Sequence, residues 1–384
     1  MAGRLKKEVQ GLRTWIEIDR EAIAHNYKLF RSLIPKTTKL LSVVKSNAYG
    51  HSHIDFAKEL QKLGIDYIAV DSLVEGLSLR RSGVRRSILV LGHTLHARIK
   101  DAAAKDIRVA VSSITQLHQL KKETFKQPLK IHIKVDTGLH RQGFTLSDLD
   151  EVREFLKWNQ KTKRVVIEGL FTHFAQGKDP RSPAYTKKQL VEFHTWIREF
   201  HMLGIFPILH AAATGPALVF PESHFDMVRI GIGLYGIWPD EKTKKFLKKK
   251  YTLKPILSWR TVVSEVKKLP KGSKIGYDST ETLKRVSTVA VCPIGYWHGF
   301  PRALSSKGYV LINGKRAKVL GRVSMDMISV DVTEIKNVKV GNIVTLIGKD
   351  GNDELTAENI ADSMNASTYE FLTRLNPLIK RLYI

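Results

Sequence analysis

Between residues 15 and 235, short apolar runs rich in β-branched residues alternate with longer stretches whose apolar positions recur every three to four residues. The first pattern fits strands buried on both faces and the second amphipathic helices, so repeated βα units are predicted. Eight strands are expected, at 40–44, 67–70, 88–91, 109–111, 131–135, 165–171, 208–211 and 227–230. Helices are expected between them, for example over 54–63, 73–82, 146–158 and 185–203, with another over 20–33 ahead of the first strand. Eight strands in about 200 residues predict a (β/α)8 TIM-type barrel.

Past a lysine cluster the rhythm changes to short alternating strands, at 256–266, 286–291, 309–312, 318–320 and 343–347. The turn pairs Asn313-Gly314 and Asp350-Gly351 punctuate them. A mainly β C-terminal domain is therefore expected, with the boundary near 245: a barrel over 1–245 and a β domain over 246–384.

Composition changes this picture little. A chain of 384 residues, 43% of them hydrophobic, exceeds one ordinary core and fits two domains. A single cysteine, Cys292, excludes an internal disulfide framework, and no Cys/His set has the spacing of a zinc site, so no metal is expected. There is no run of roughly 18 apolar residues and no apolar core of a secretory signal near the start, which points to a cytoplasmic protein without a membrane partner. The net charge of +26 raises nucleic acid as a partner, yet the lysines are dispersed. The densest cluster, KTKKFLKKK at 242–250, has little aromatic interleaving and is expected to be a solvated linker rather than a phosphate-backbone groove.

Candidate chemistry lies where the predicted strands end, because that face of a barrel carries the catalytic residues. Lys45, Asp136 with Arg141, His173, His210 with Thr214, and Arg229 all fall there. Each alone has an ordinary reading as a solvated cation or a hydrogen-bonded structural group. Their convergence on one mouth weakens it. Thr214-Gly215 and Gly231-Ile232-Gly233 follow the last two strands, where exposed backbone N–H groups commonly hold a phosphate. A lysine opposite such a loop outlines a cofactor anchored by an imine at one edge and a phosphate at the other.

With these residues in view, VVKSNAYGH at 43–51, KVDTGLHRQG, FTHF, DMVRIGIGLYG, IGYDST, IGYWHGFPR, GRVSMDM and TYEFLTRLNP occur in one order. Over essentially its whole length the chain resembles the alanine racemase family of fold-type III pyridoxal-phosphate enzymes. The resemblance implies interconversion of L- and D-alanine, supplying D-alanine for peptidoglycan, with pyridoxal 5'-phosphate as cofactor and a homodimer with shared active sites. A serine or broad-specificity amino-acid racemase is the alternative. By motif, Lys45 would carry the cofactor as a Schiff base and act as one base. Tyr277 would be the other, reaching the partner's site together with Tyr296, Met325 and Asp326. Tyr49, Thr214, Gly231, Ile232 and Tyr369 would receive the phosphate. Arg229 would face the pyridine nitrogen with His173 behind it and His210 nearby, and Arg141 would hold the substrate carboxylate. Lys134 occupies a position that family members often carbamylate. The chain departs from the commoner pattern at Ala213, Asp278, Trp297-His298 and Ser324, which bears on entrance shape rather than on the bases.

Overall fold

A computed structural model describes residues 8–179 and 181–384. The first seven residues, part of the stretch near the start that has no apolar core of a secretory signal, lie outside it. The chain divides into two compact units, one of Glu21–Ala48 with His53–Pro255, the other of Tyr49–Ser52, Ile256–Ile384 and the described residues through Arg20.

The first unit is a barrel. Its strands are β2 (Lys39–Val43), β3 (Tyr67–Val70), β4 (Ser87–Val90), β5 (Ile107–Val111), β6 (Leu129–Lys134), β7 (Val165–Phe171), β8 (Ile208–His210) and β9 (Met227–Ile230), numbered after β1 (Thr14–Ile18) of the other unit. They form an eight-stranded sheet in the order β8-β7-β6-β5-β4-β3-β2-β9, with parallel pairs throughout. Backbone bonds from Asp226 N–H to Leu209 O (3.1 Å) and from Arg229 N–H to Ala212 O (2.9 Å) draw β9 against β8 and nearly close it. The strands are predominantly apolar because helices cover one face and the barrel core the other; β3 and β5 are buried at every position, Arg108 of β5 included. Helices start where side chains cap them, as at Ser72 with Glu75 before Leu73–Arg81 and at Ser113 before Ile114–Lys122.

The lysine cluster differs from its expectation as a linker. Asp240 caps a short helix, Glu241–Leu247, by accepting the Thr243 N–H at 2.7 Å, and Thr243 and Leu247 are buried. Its apolar positions were masked by the lysines around them.

The second unit is mainly β. Besides β1 it contains β10 (Leu257–Val262), β11 (Glu265–Leu269), β12 (Lys274–Ile275), β13 (Glu281–Thr282), β14 (Ser287–Cys292), β15 (Tyr309–Ile312), β16 (Lys315–Leu320), β17 (Ile328–Asp331), β18 (Ile343–Asp350), β19 (Asp353–Leu355) and β20 (Lys380–Tyr383). The principal sheet runs β11-β14-β17-β16-β15-β18-β10-β1-β20. β1 joins it antiparallel to β10 and parallel to β20, so the segment ahead of the barrel completes the β unit. The single strand expected over 256–266 is two, β10 and β11, which pair with different neighbours.

Candidate active site

The segment after β2 is wound the wrong way for L-residues. Ser46, Asn47, Ala48 and Tyr49 all have φ between +51° and +56°, a left-handed turn that costs roughly 1 kcal/mol or more per residue. Glu75 offsets this: one carboxylate oxygen accepts the Ser46 N–H at 2.7 Å, the other those of Asp71 and Ser72 at 2.9 and 3.2 Å. Lys45 Nζ is left to pair with Asp71 Oδ1 at 3.2 Å, both side chains partly exposed. Tyr49, at the end of the turn, belongs to the β unit, where its ring centre lies 6.0 Å from that of Tyr369. The following carbonyls are pinned there: Gly50 O accepts from Arg381 at 2.9 and 3.1 Å, and His51 O from the Tyr383 hydroxyl at 2.7 Å.

β6 delivers Lys134 at its last position. Asp136 follows and gathers the next loop, Oδ1 accepting N–H bonds from Gly138, Leu139 and His140 at 2.9 to 3.0 Å and Oδ2 that of Arg141 at 3.1 Å. Burial alone would raise the Asp136 pKa, but these donors hold it below the usual carboxylate range. Arg141 is thereby fixed at the mouth by its backbone. Lys134 is buried and reaches Gln142 Oε1 at 3.5 Å. Burial, then the charges of Arg141 and Arg229, bring its pKa down to about 8.

Arg229, on β9, is buried and held from two sides. Nη2 donates to Thr172 O (2.8 Å), Ala211 O (2.9 Å) and His173 Nδ1 (3.2 Å), while Nη1 donates to His210 Nδ1 (3.0 Å). Desolvation brings the guanidinium down to about 9. His173 falls to about 3, from burial first and then from Arg229, Arg141, Lys134 and Lys45 around it. One imidazole thus lies among four cations drawn from the turn after β2, from β6, from the loop after β6, and from β9. Next to them the Thr214 hydroxyl accepts the N–H groups of Gly231 (3.1 Å) and Gly233 (3.4 Å), with Ile232 between. The barrel therefore brings Lys45, Lys134, Arg141, His173, His210, Arg229, Thr214, Gly231 and Ile232 to its C-terminal end.

The remaining expected residues lie in the β unit. Tyr277 opens a short 3-10 turn and is 70% exposed. Asp278 beside it has φ +57°, the left-handed region where glycine is at no disadvantage, and its carboxylate pairs with Arg322. The loops at 294–300 and 322–327 are bonded together, Tyr296 N–H to Ser324 O at 3.1 Å and Trp297 N–H to Met325 O at 3.0 Å, with Gly295 pressed against those carbonyls. This presents Tyr296, Met325 and Asp326 on the surface, Tyr296 44% and Met325 55% exposed. Glu75, His132 and Glu168 were not singled out in the sequence, because no local pattern announces a side chain that acts through other side chains. Among the described residues no group of His, Cys, Asp or Glu is arranged to hold a metal ion. No helix of the described residues is long and apolar enough to cross a membrane.

A (β/α)8 barrel with a cationic, phosphate-ready mouth, continuing into a mainly β unit that bears exposed tyrosines, defines a two-domain barrel enzyme. Residues 18–239 match the alanine racemase N-terminal domain and 256–383 the alanine racemase C-terminal domain. Alanine racemase of Methanococcus maripaludis is 37% identical over 96% of this chain and 98% of its own. Alanine racemase 2 of Bacillus subtilis is 36% identical over 96% and 94%. The crystal structure of Bacillus anthracis alanine racemase with bound L-Ala-P superposes with a TM-score of 0.90 at 33% identity, covering 97% of this chain and 95% of that one. The chain belongs to the alanine racemase family, and it is an isomerase.

Proposed function

We propose that the chain interconverts L-alanine and D-alanine with pyridoxal 5'-phosphate, as a cytoplasmic homodimer with shared active sites, and so supplies D-alanine for peptidoglycan. The observation that carries this reading is that Lys45, Lys134, Arg141, His173 and Arg229 are all placed at one barrel mouth, Arg229 bonded to His173. The relatives named above favour alanine over serine.

The donor set fits the cofactor. Lys45 Nζ has only a partly exposed ion pair to surrender, so it would hold the aldehyde carbon. The Thr214 hydroxyl, which here accepts the Gly231 N–H, and the backbone N–H of Ile232 would take the phosphate, a part the family resemblance also gives to Gly231, Tyr49 and Tyr369. When bound, pyridoxal phosphate supplies an electron-withdrawing ring that acidifies the amino acid's Cα–H. Arg229 would face the ring nitrogen. A guanidinium keeps its protons, so Arg229 offers a hydrogen bond there and no transferable proton, with His173 supporting it.

Arg141 would grip the substrate carboxylate with paired donors. Lys134, with its pKa brought to about 8, has an accessible neutral amine that carbon dioxide could carbamylate, turning a cation into an anion beside Arg141. Inversion removes a proton from one face of Cα and delivers one to the opposite face: the Lys45 amine would serve one face, and Tyr277 from a second copy of the chain the other, one accepting while the other donates. Tyr296, Met325 and Asp326 of that copy would bound the substrate, with a Met325 backbone N–H toward its carboxylate. Their exposure in the single chain suits surfaces that become buried on pairing.

The test is to incubate the cofactor-loaded protein with L-alanine in deuterated water, following optical rotation and deuterium at Cα. Racemisation with deuterium entry is expected; absence of both would reject the proposal.

A further inference from the structure

Behind Arg229 a string of hydrogen bonds crosses the barrel interior. His210 Nε2 lies 2.8 Å from His132 Nδ1, and His132 Nε2 lies 3.1 Å from Glu168 Oε2. Glu168 is in turn gripped by Arg108, Nε to Oε2 at 2.9 Å and Nη2 to Oε1 at 3.2 Å, and receives the Tyr67 hydroxyl at 3.4 Å. Arg108 continues to Asp106 Oδ2 at 2.8 Å, ahead of β5. The string therefore runs from the catalytic end of the barrel to the opposite end.

The chemistry of its ends leaves one proton arrangement. A guanidinium has no acceptor, so the His210 Nδ1 that faces Arg229 at 3.0 Å must be a lone pair, and the ring proton sits on Nε2. That N–H meets His132 Nδ1, which must accept, so His132 is also protonated at Nε2. Its N–H meets Glu168, a carboxylate that only accepts. A second proton on either ring would set N–H against N–H or against the guanidinium, so both imidazoles are neutral. Full burial lowers both their pKa values and works in the same direction.

Local structure is built for this string. The β6–β7 register shifts so that Ile131 pairs with Ile167 and His132 with Gly169, leaving Glu168 as the extra residue of a bulge, a device that re-aims a side chain. A Cβ on Gly169 would run into the His132 ring. Arg229 itself donates only to neutral acceptors, two carbonyls and two imidazoles, so its counter-anion is reached through the rings.

We propose that Glu168 is a positioning residue for racemisation: through His132 and His210 it fixes the lone pair to which Arg229 donates, and so sets the orientation and effective charge of that guanidinium. The proposal rests on the reading of Arg229 as the group that faces the cofactor ring. In the low dielectric of the core such a chain polarises along its length, which is how a carboxylate can be felt two rings away.

Histidine-selective 15N NMR of the cofactor-loaded enzyme reads the tautomers, with His132→Gln and His210→Gln used for assignment. In the wild type both rings are expected to show a protonated Nε2 and a bare Nδ1, unchanged over the range in which exposed histidines titrate. A protonated Nδ1 on either ring would overturn the proposal. In Glu168→Gln both rings' resonances and the absorbance of the bound cofactor are expected to move, and kcat to fall about tenfold, the scale of one hydrogen bond, with KM for alanine within about twofold. Moved resonances with unaltered absorbance and kcat would also overturn it. An unaltered absorbance in Arg229→Gln would reject the underlying reading of Arg229, and the wild-type tautomers separate that failure from a failure of the string.

Discussion

Lys45 and Tyr277 start from different states. Lys45 is held by Asp71 in an exposed pair worth under about 1 kcal/mol, a grip readily released, whereas Tyr277 stands on the surface. Lys45→Ala is expected to abolish both the imine absorbance of the bound cofactor and racemisation, while Tyr277→Phe keeps the absorbance and loses turnover; full turnover in Tyr277→Phe would rule out the two-base assignment. Asp136 acts by gathering four N–H groups, and Asp136→Asn removes the charge that organises them. KM for alanine is expected to rise about tenfold with a smaller change in kcat, checked by initial rates. Lys45 and Arg141 were legible because each sits in a distinctive run just past a strand. Asp278 was visible only as a departure from the commoner pattern; its +57° φ and its pairing with Arg322 give the physical content of that departure.

At the scale of elements, all eight barrel strands could be read because strands buried on both faces are rich in apolar, β-branched residues, even where β5, β6, β7 and β9 carry charged or imidazole side chains among them. β1 and β20 could not. Each is short and interspersed with charge, and they pair with each other across nearly the whole chain. The bulge at Glu168 was equally hidden, since register belongs to the pairing and not to either strand alone. Gly169→Ala pushes a methyl into His132 and is expected to destabilise the barrel by roughly 1–3 kcal/mol, read as a lower urea midpoint. Burial would raise the Glu168 pKa, but donors from His132 and Arg108 bring it from 4.5 down to about 2. A depressed carboxylate stabilises the folded state above its unfolded pKa. Its contribution, about 3 kcal/mol, is therefore present above 4.5 and is lost as pH falls toward 2. Urea midpoints of wild type and Glu168→Gln should converge over that window; a gap that stays constant would contradict the assignment.

For the whole molecule, the proposed sharing of sites makes a prediction that no single chain can satisfy. Lys45→Ala and Tyr277→Phe are each inactive, but a mixed dimer would contain one site with both native bases. Random mixing makes half the dimers mixed with one good site of two, so about a quarter of wild-type activity should return after subunits exchange. No recovery on verified exchange would place both bases in one chain. That the two bases lie in separate units was apparent from the order of the motifs, whereas the polar interior linking β9, β8, β6 and β7 was not. With every N–H and lone pair of both rings aligned between an arginine and a carboxylate, a proton could move along the string only if both tautomers flipped together and the Arg229 guanidinium gave up a proton. A guanidinium surrenders its proton so reluctantly that this end acts as a stopper, and the deuterons that reach Cα are expected to enter from the mouth.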